Sequence, residues 1–386
     1  MSEGALDGVR VLDLTDEKGA WATKTLGDLG ADVIRVEPPE GDPMRGMAPF
    51  YKGQRGPQTS LTHWFYNTSK RAMTLGLESP EGKQHLTELA RTSDILVESQ
   101  PPGAMAALGL GYAQLAEANP NLIYVAITPF GQDGPLAGCP ATDLTLCALG
   151  GMMYVNGNPE SPPLVAFGNQ AYHVGSYFGA ITALAALQGR RLTGRGQFID
   201  VSIEAAVAAF IEHVNVWYLY NDRIAKRQGS LHWSKGFATF RAKDGYIALS
   251  LYHQWDFLVA WLLGEDAADD LADESYRAIK FAAERSDHVM EVIGRWAAKR
   301  TVQELFDEGQ ARRFPWAGVY DIAEVFQVPQ LHERGFWATV RHDELGEEVT
   351  YPGAPYKLSA SPWAIRRRPP LPGEHTQEIL NELADG

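Results

Sequence analysis

Cysteine is nearly absent from this chain, with Cys139 and Cys147 the only two in 386 residues. Two cysteines without a second pair supply neither a zinc site nor a disulfide framework. Basic residues are also outnumbered: 34 Lys and Arg stand against 48 Asp and Glu, for a formal net charge of −14. Phosphate backbones need a clustered cationic face, so nucleic acid is not an expected partner. The single basic run, Arg366-Arg367-Arg368, stops at Pro369-Pro370 and reads as a solvated turn. No apolar run reaches the length of a bilayer span. The start M-S-E-G-A-L-D-G has neither the basic head nor the apolar core of a signal peptide. A cytoplasmic chain with no membrane partner is expected.

Several active-site motifs are missing too. The first strand-to-helix turn, T-D-E-K-G-A-W, has one glycine and no G-x-G-x-x-G, so a dinucleotide pyrophosphate is denied close approach. Walker A, G-x-S-x-G and H-E-x-x-H do not occur, and no metal is expected. What remains is ordinary globular composition, 45% apolar and 21% charged. The length exceeds one compact core.

The first half alternates strand and helix. Val9–Leu14, Asp32–Glu37, Asp94–Glu98, Asn121–Ile127 and Phe198–Ile203 read as strands. Ala20–Leu29, Tyr112–Ala118 and Glu204–Tyr220 read as helices. Ser79-Pro80-Glu81 starts another, running to about Arg91, with a serine N-cap and proline in the first turn. Such alternation predicts βαβ crossovers and a mostly parallel, buried sheet. After Asp222 the texture changes. Phe237–Tyr252 predicts a hairpin around Lys243-Asp244-Gly245, followed by helices from Trp255–Leu263 to Val302–Glu308. The tail from Leu331 is proline-rich, and its helix near Thr376–Leu383 has few apolar residues. The expected organisation is a large domain over 1–222 and 331–386, plus a small α+β domain over 223–330.

One stretch invites a site. N-Q-A-Y-H-V-G-S-Y-F-G-A (169–180) sets Tyr172 and His173 at the mouth of an apolar helix, Tyr177–Leu187. The pair either packs that helix or faces a ligand. Asp143, ahead of a second apolar helix, either caps that helix or touches a reacting group.

A series of segments together resembles the class III CoA-transferases, also named for carnitine dehydratase and bile-acid-inducible protein F. They include G-V-R-V-L-D-L-T (8–15), L-G-A-D-V-I-R-V-E-P-P-E-G-D (29–42), N-T-S-K-R-A-M-T-L-G-L-E-S-P-E-G (67–82) and D-I-L-V-E-S-Q-P-P-G (94–103). G-Q-D-G-P (131–135), T-G-R-G-Q-F-I-D-V-S-I (193–203) and P-G-E-H-T-Q-E-I-L (372–380) continue the match along the chain. The resemblance implies a Rossmann-like large domain built from both chain ends, and two chains interlocked like links, the second being a paralogue or another copy of this chain. It implies CoA transfer from an acyl-CoA to a free carboxylic acid. There an aspartate attacks the thioester, giving a mixed anhydride and then an aspartyl-CoA thioester.

Counting back from Thr193, the place of that aspartate is held by Tyr172. A phenol cannot form the anhydride. By position, the resemblance assigns CoA contacts to Glu17, Lys18, Leu75, Gly76, Leu77, Glu78, Ser99, Gln100 and Pro101, with Lys70 and Arg71 as charges for the phosphates. Pro38 and Ala107 stand where the family often has arginines. Three functions follow as alternatives. The chain is the aspartate-less subunit of a two-component transferase, with a paralogous chain as partner. It is a self-sufficient acyl-CoA isomerase, racemase or lyase using Asp143 and perhaps His173. Or it is a non-catalytic acyl-CoA-binding protein.

Overall fold

The structure is a computed structural model, and it describes residues 4–232, 234–251, 254–278 and 283–385. Six strands form one sheet: β1 (Arg10–Leu14), β2 (Asp32–Glu37), β3 (Lys70–Thr74), β4 (Ile95–Glu98), β5 (Ile123–Thr128) and β6 (Gln197–Ser202). Their order is β3-β2-β1-β4-β5-β6. Every adjacent pair is parallel, with Leu12 opposite both Ile34 and Leu96. The chain is therefore α/β and Rossmann-like. The order reverses between β1 and β4, which opens a crevice at the carboxyl ends of those two strands.

The crossovers are carried by α1 (Ala20–Asp28), α2 (Leu61–Tyr66), α3 (Pro80–Arg91), the short α4 (Ala104–Ala107) and α5 (Tyr112–Ala118). After β5 come α6 (Asp143–Leu149), the short α7 (Met152–Val155) and α8 (Gln170–Thr193); β6 is followed by α9 (Ile203–Phe210) and α10 (His213–Asn221). The Ser79 hydroxyl caps α3 by accepting the Gly82 N–H, with Pro80 in the first turn. One core gathers Leu12, Ile34, Met73, Leu96 and Tyr124 of the sheet with Leu86 and Leu89 of α3 and Leu115 of α5. At about 25 cal/mol per Å² of apolar surface removed from water, each such side chain contributes roughly 1.5–3 kcal/mol.

The chain divides into two compact units. The first takes in the chain to Met152, Val165–Arg223 and the tail from Leu331; the second takes in Met153–Leu164 and Ile224–Gln330. Met153–Leu164 is thus grouped with the small unit, although it falls within 1–222 in sequence. In the small unit, β7 (Leu231–His232), β8 (Ser234–Arg241), β9 (Tyr246–Ser250) and β10 (Ala317–Gly318) form an antiparallel sheet. Asp244 and Gly245 turn the β8–β9 hairpin, and the Ala242 N–H donates to the Gly245 carbonyl at 3.0 Å. Tyr252, the last residue expected in that hairpin, lies outside the described residues. Four helices, α11 (Trp255–Gly264), α12 (Ser275–Ala278), α13 (Ala283–Ala297) and α14 (Val302–Ala311), accompany the sheet; α15 (Ile322–Gln327) and α16 (Pro329–Glu333) lead out. The core of this unit is rich in aromatics, with Trp261 stacked on Trp316 at 5.6 Å.

Two local expectations are corrected. The helix read as Tyr177–Leu187 begins at Gln170. Gly175 and Gly179 lie inside it because α8 presses closely on its neighbours: a Cβ on each would sit 2.7 Å from Ile203 Cγ1 and 2.6 Å from Ile127 Cδ1. The helix read as Glu204–Tyr220 is two helices, broken where Glu212 takes a positive φ of 42°. The strand β3 has no counterpart in the sequence reading, because K-R-A-M-T does not read as a buried strand.

The tail covers the open side of β3. It forms a hairpin, β11 (Trp337–His342) and β12 (Glu347–Pro352), and ends in α17 (Thr376–Asp385). Between them the chain runs along β3: Ser69 N–H donates to the Arg367 carbonyl at 3.0 Å and His375 N–H to the Ala72 carbonyl at 2.9 Å. In return Ala72 N–H donates to His375 Nδ1 and Thr74 N–H to Thr376 Oγ1. An edge that would otherwise expose its ladder is satisfied in this way. Ile379 of α17 is fully buried in the same core as Leu12.

Candidate active site

The resemblance points to the start of α8, and four elements converge there. Tyr172 and His173 lie in its first turn. Ser176 Oγ donates to the Lys18 carbonyl at 2.9 Å, which ties the β1–α1 loop with Glu17 and Lys18 to the same helix. Across the switch point, Ser99 Oγ accepts the Asp16 N–H at 2.8 Å and donates to Asp16 Oδ1 at 2.7 Å. Glu17, Lys18, Ser99 and Tyr172 are therefore brought together. Gln100 and Pro101 follow on the outer side and are exposed. Leu75–Glu78 lies two strands away, at the carboxyl end of the edge strand β3.

Tyr172 is buried at 7% exposure. Burial, then the nearby carboxylates of Glu17, Asp16 and Asp143, push its phenol up to about 12. The hydroxyl stays protonated at any ordinary pH. His173 is held as firmly. Its Nε2 lies 2.7 Å from the Tyr66 hydroxyl, and its ring sits 4.8 Å from the Trp21 ring. Burial pushes the imidazole down despite the opposing charge of Asp143. The neutral ring shares one hydrogen bond with the Tyr66 hydroxyl at Nε2, its direction set by the tautomer.

Asp143 does something the sequence does not suggest. Its own helix is capped by Thr142, whose hydroxyl accepts the Thr145 N–H. The Asp143 carboxylate instead reaches across to α8 and accepts the Tyr172 N–H at 3.2 Å. Burial raises this carboxyl, and bonds from the amides of Tyr172 and Ala171 draw it back. Asp143 therefore caps the neighbouring helix and stands beside His173.

Lys70 and Arg71 are corrected as donors to phosphate. Lys70 is fully buried, with its ammonium on Asp13 at 2.7 Å and on the Thr23 hydroxyl at 2.8 Å. Burial pushes it down to about 8. Burial would also raise Asp13, but Arg35 and Lys70 outweigh it and hold the carboxylate well below its usual range. Arg71 is clamped by Asp32, Glu378 and Glu382. Lys18 is paired with Asp16. At the end of β4, burial together with the charges of Asp16 and Asp200 lifts Glu98 to about 7. The crevice thus carries more carboxylate than free cation.

Among the described residues, Glu37, Asp42 and His63 approach one another as metal ligands do. Arg45 and Arg35 already hold the two carboxylates, and burial lowers His63 to about 4. The ion pairs account for the two carboxylates, whereas His63 Nε2 is buried without a hydrogen-bond partner among the described residues.

Sequence reasoning missed Tyr66 and Trp21. The density of rings in H-W-F-Y (63–66) is the one signal that marked this segment.

A family model described as CoA-transferase family III matches residues 6–376. The chain is 36% identical to subunit BbsE of succinyl-CoA:(R)-benzylsuccinate CoA-transferase from Thauera aromatica, over 97% of this chain and 93% of that protein. It is 33% identical to the beta subunit of a succinyl-CoA–L-malate CoA-transferase from Chloroflexus aurantiacus, over 98% and 94%. A CAIB/BAIF family protein from Brucella suis superposes with a TM-score of 0.87 at 28% identity, covering 99% of this chain and 100% of that one.

Proposed function

The chain belongs to CoA-transferase family III, and from that premise we propose that it is the non-nucleophilic subunit of a heteromeric transferase. The complex moves CoA from an acyl-CoA to a free carboxylic acid. The observation that carries the reading is Tyr172, a buried, protonated phenol where the family's nucleophilic carboxylate belongs. A phenol near pKa 12 neither attacks a thioester at neutral pH nor forms a mixed anhydride. Two relatives, BbsE and the malate-transferase beta subunit, carry the word subunit in their names, which supports a division of labour. The partner is a paralogous chain that supplies the aspartate, interlocked with this one.

In this reading Glu17, Lys18 and Ser99–Pro101 contact the pantetheine arm, and Leu75–Glu78 lies toward the nucleotide. Lys70 and Arg71 have no part in it. The exposed face of α8, with Tyr177 and Ile181, is covered by the partner chain.

A second reading rests on Asp143, whose raised carboxyl stands beside neutral His173. Such a pair suits proton transfer next to a thioester carbonyl. One experiment separates the two. This chain, its paralogue and the co-expressed complex are each assayed with succinyl-CoA and a panel of dicarboxylic acids. The first reading expects transfer by the complex alone. Turnover of an acyl-CoA by this chain in isolation would overturn it in favour of Asp143.

A further inference from the structure

The run Arg366-Arg367-Arg368, which reads as a solvated turn, lines a pocket of about 390 Å³. Its other wall is the outer face of β11, with Thr339 and Arg341, and His375 completes it. The arginines are not equivalent. Arg368 is neutralised by Glu344 at 2.7 Å and by Glu374 through two bonds at 2.7 and 2.9 Å. Arg366 donates to the carbonyls of Asp28 and Ala364, so its charge has no carboxylate partner. Arg341 has one long contact, 3.4 Å to a highly exposed Asp343. Arg367 is exposed, and among the described residues its guanidinium has no ion pair or hydrogen bond.

His375 is defined by its bonding. Nδ1 accepts the Ala72 N–H, so the neutral ring carries its proton on Nε2. Burial lowers the imidazole against the opposing charges of Glu374 and Glu378. The pocket therefore gathers two uncompensated guanidinium forks, Arg366 and Arg367, a weakly paired third in Arg341 and one N–H donor, while its two carboxylates, Asp343 and Glu374, face Arg341 and Arg368. It does so on a chain of net charge −14. It also lies beside Ser69 at the start of β3, whereas the crevice of the candidate active site is at the carboxyl ends of the strands.

We propose that this pocket is a second binding site, built for a compact, multiply charged anion. Guanidinium forks match the paired oxygens of phosphate and carboxylate groups alike. The shared chemistry is two or more anionic groups within a few ångströms, as in a diphosphate or a small polycarboxylate. The ligand steadies the tail against β3, because Arg366 and Arg367 belong to the stretch that closes that edge.

The test is titration of the full chain with inorganic pyrophosphate and, separately, citrate, with ionic strength held constant by chloride. Calorimetry and thermal melting are read together. Saturable binding with a raised melting temperature is expected from at least one probe. Binding by pyrophosphate alone assigns a phosphate-bearing ligand, and binding by citrate alone assigns a polycarboxylate. The double variant Arg341→Gln/Arg367→Gln should bind at least about tenfold more weakly. Its melting temperature without anion should stay unchanged, since neither side chain holds the fold. Absence of saturable binding, or equal binding by the variant, overturns the proposal. So does a fall in oligomer mass in the variant with no anion binding, because a partner chain would then own the pocket.

Discussion

Asp143 on α6 and the backbone N–H of Tyr172 on α8 meet at 3.2 Å, so one helix supplies the cap of another. Asn169, at the N-cap position of α8, makes no side-chain cap bond. The carboxylate replaces it and faces the positive end of a helix that runs to Thr193. Asp143→Ala should lower stability by about 1 kcal/mol, the usual loss for a missing cap. Asp143→Asn, which keeps an acceptor oxygen, should lose less. Chemical denaturation of both variants measures the difference. Equal losses would show that the cap is not the reason.

Tyr172→Phe removes one hydroxyl and leaves the ring in place. In the proposed heteromer the variant should keep activity within a few-fold, while replacing the aspartate proposed for the partner should abolish it. Exposure to an acyl-CoA followed by hydroxylamine and peptide mapping gives the complementary result. A modified residue within Asn169–Ala180 would return the covalent chemistry to this chain.

Glu98 offers a pH signature. Its carboxyl rises from 4.5 unfolded to about 7 folded, mainly through burial. A raised carboxyl costs nothing below its unfolded value. The cost grows between 4.5 and about 7 and stays constant above, at ~3 kcal/mol. Glu98→Gln keeps the acceptor for the Gln100 N–H and should therefore stabilise the fold above pH 7, with little gain near pH 4. Denaturation midpoints at the two pH values decide it, and a gain that is flat with pH counts against the assignment.

The buried pair of Asp13 and Lys70 should be costly to break. Asp13→Asn leaves the Lys70 ammonium without its countercharge, a loss of about 3–5 kcal/mol for a buried pair. If Lys70 instead served the CoA phosphates, Lys70→Met would act on KM for the acyl-CoA rather than on unfolding. Comparing the two variants by melting and by steady-state kinetics separates these roles.

An assembly surface is expected on α8. Tyr177 is 49% and Ile181 58% exposed on a helix whose other face is buried in the large unit. Ile181→Glu should lower the oligomer mass seen by light scattering. An unchanged mass would place the interface elsewhere.

Much of the fold is legible because parallel strands are buried on both faces and read as short apolar runs, as Arg10–Leu14 and Ile123–Thr128 do. The same rule hides β3. Lys70 and Arg71 look like surface residues, and their partners Asp13, Asp32, Glu378 and Glu382 come from distant positions that no local pattern links. Helix α8 was legible from Tyr177 onward. Its first turn was not, because Gly175 and Gly179 resemble loop residues until Ile203 and Ile127 are seen against them. At the site, the proposal that Tyr172 stands in the place of the family's aspartate rests on counting along a familiar pattern. The hold of Tyr66 on His173 joins residues 107 apart in sequence, and Asp143 in sequence resembles an ordinary cap of its own helix.

The tail that closes β3 also sets an order of events during synthesis. Ser69, Ala72 and Thr74 emerge from the ribosome long before Arg367, His375 and Thr376, the residues whose groups meet theirs. Until those residues are made, the nascent sheet carries an unpaired rim open to any other extended chain. A chain stopped before Arg367 would therefore be released sticky along one side, and cells should meet it as an aggregation and quality-control problem before any question of catalysis arises.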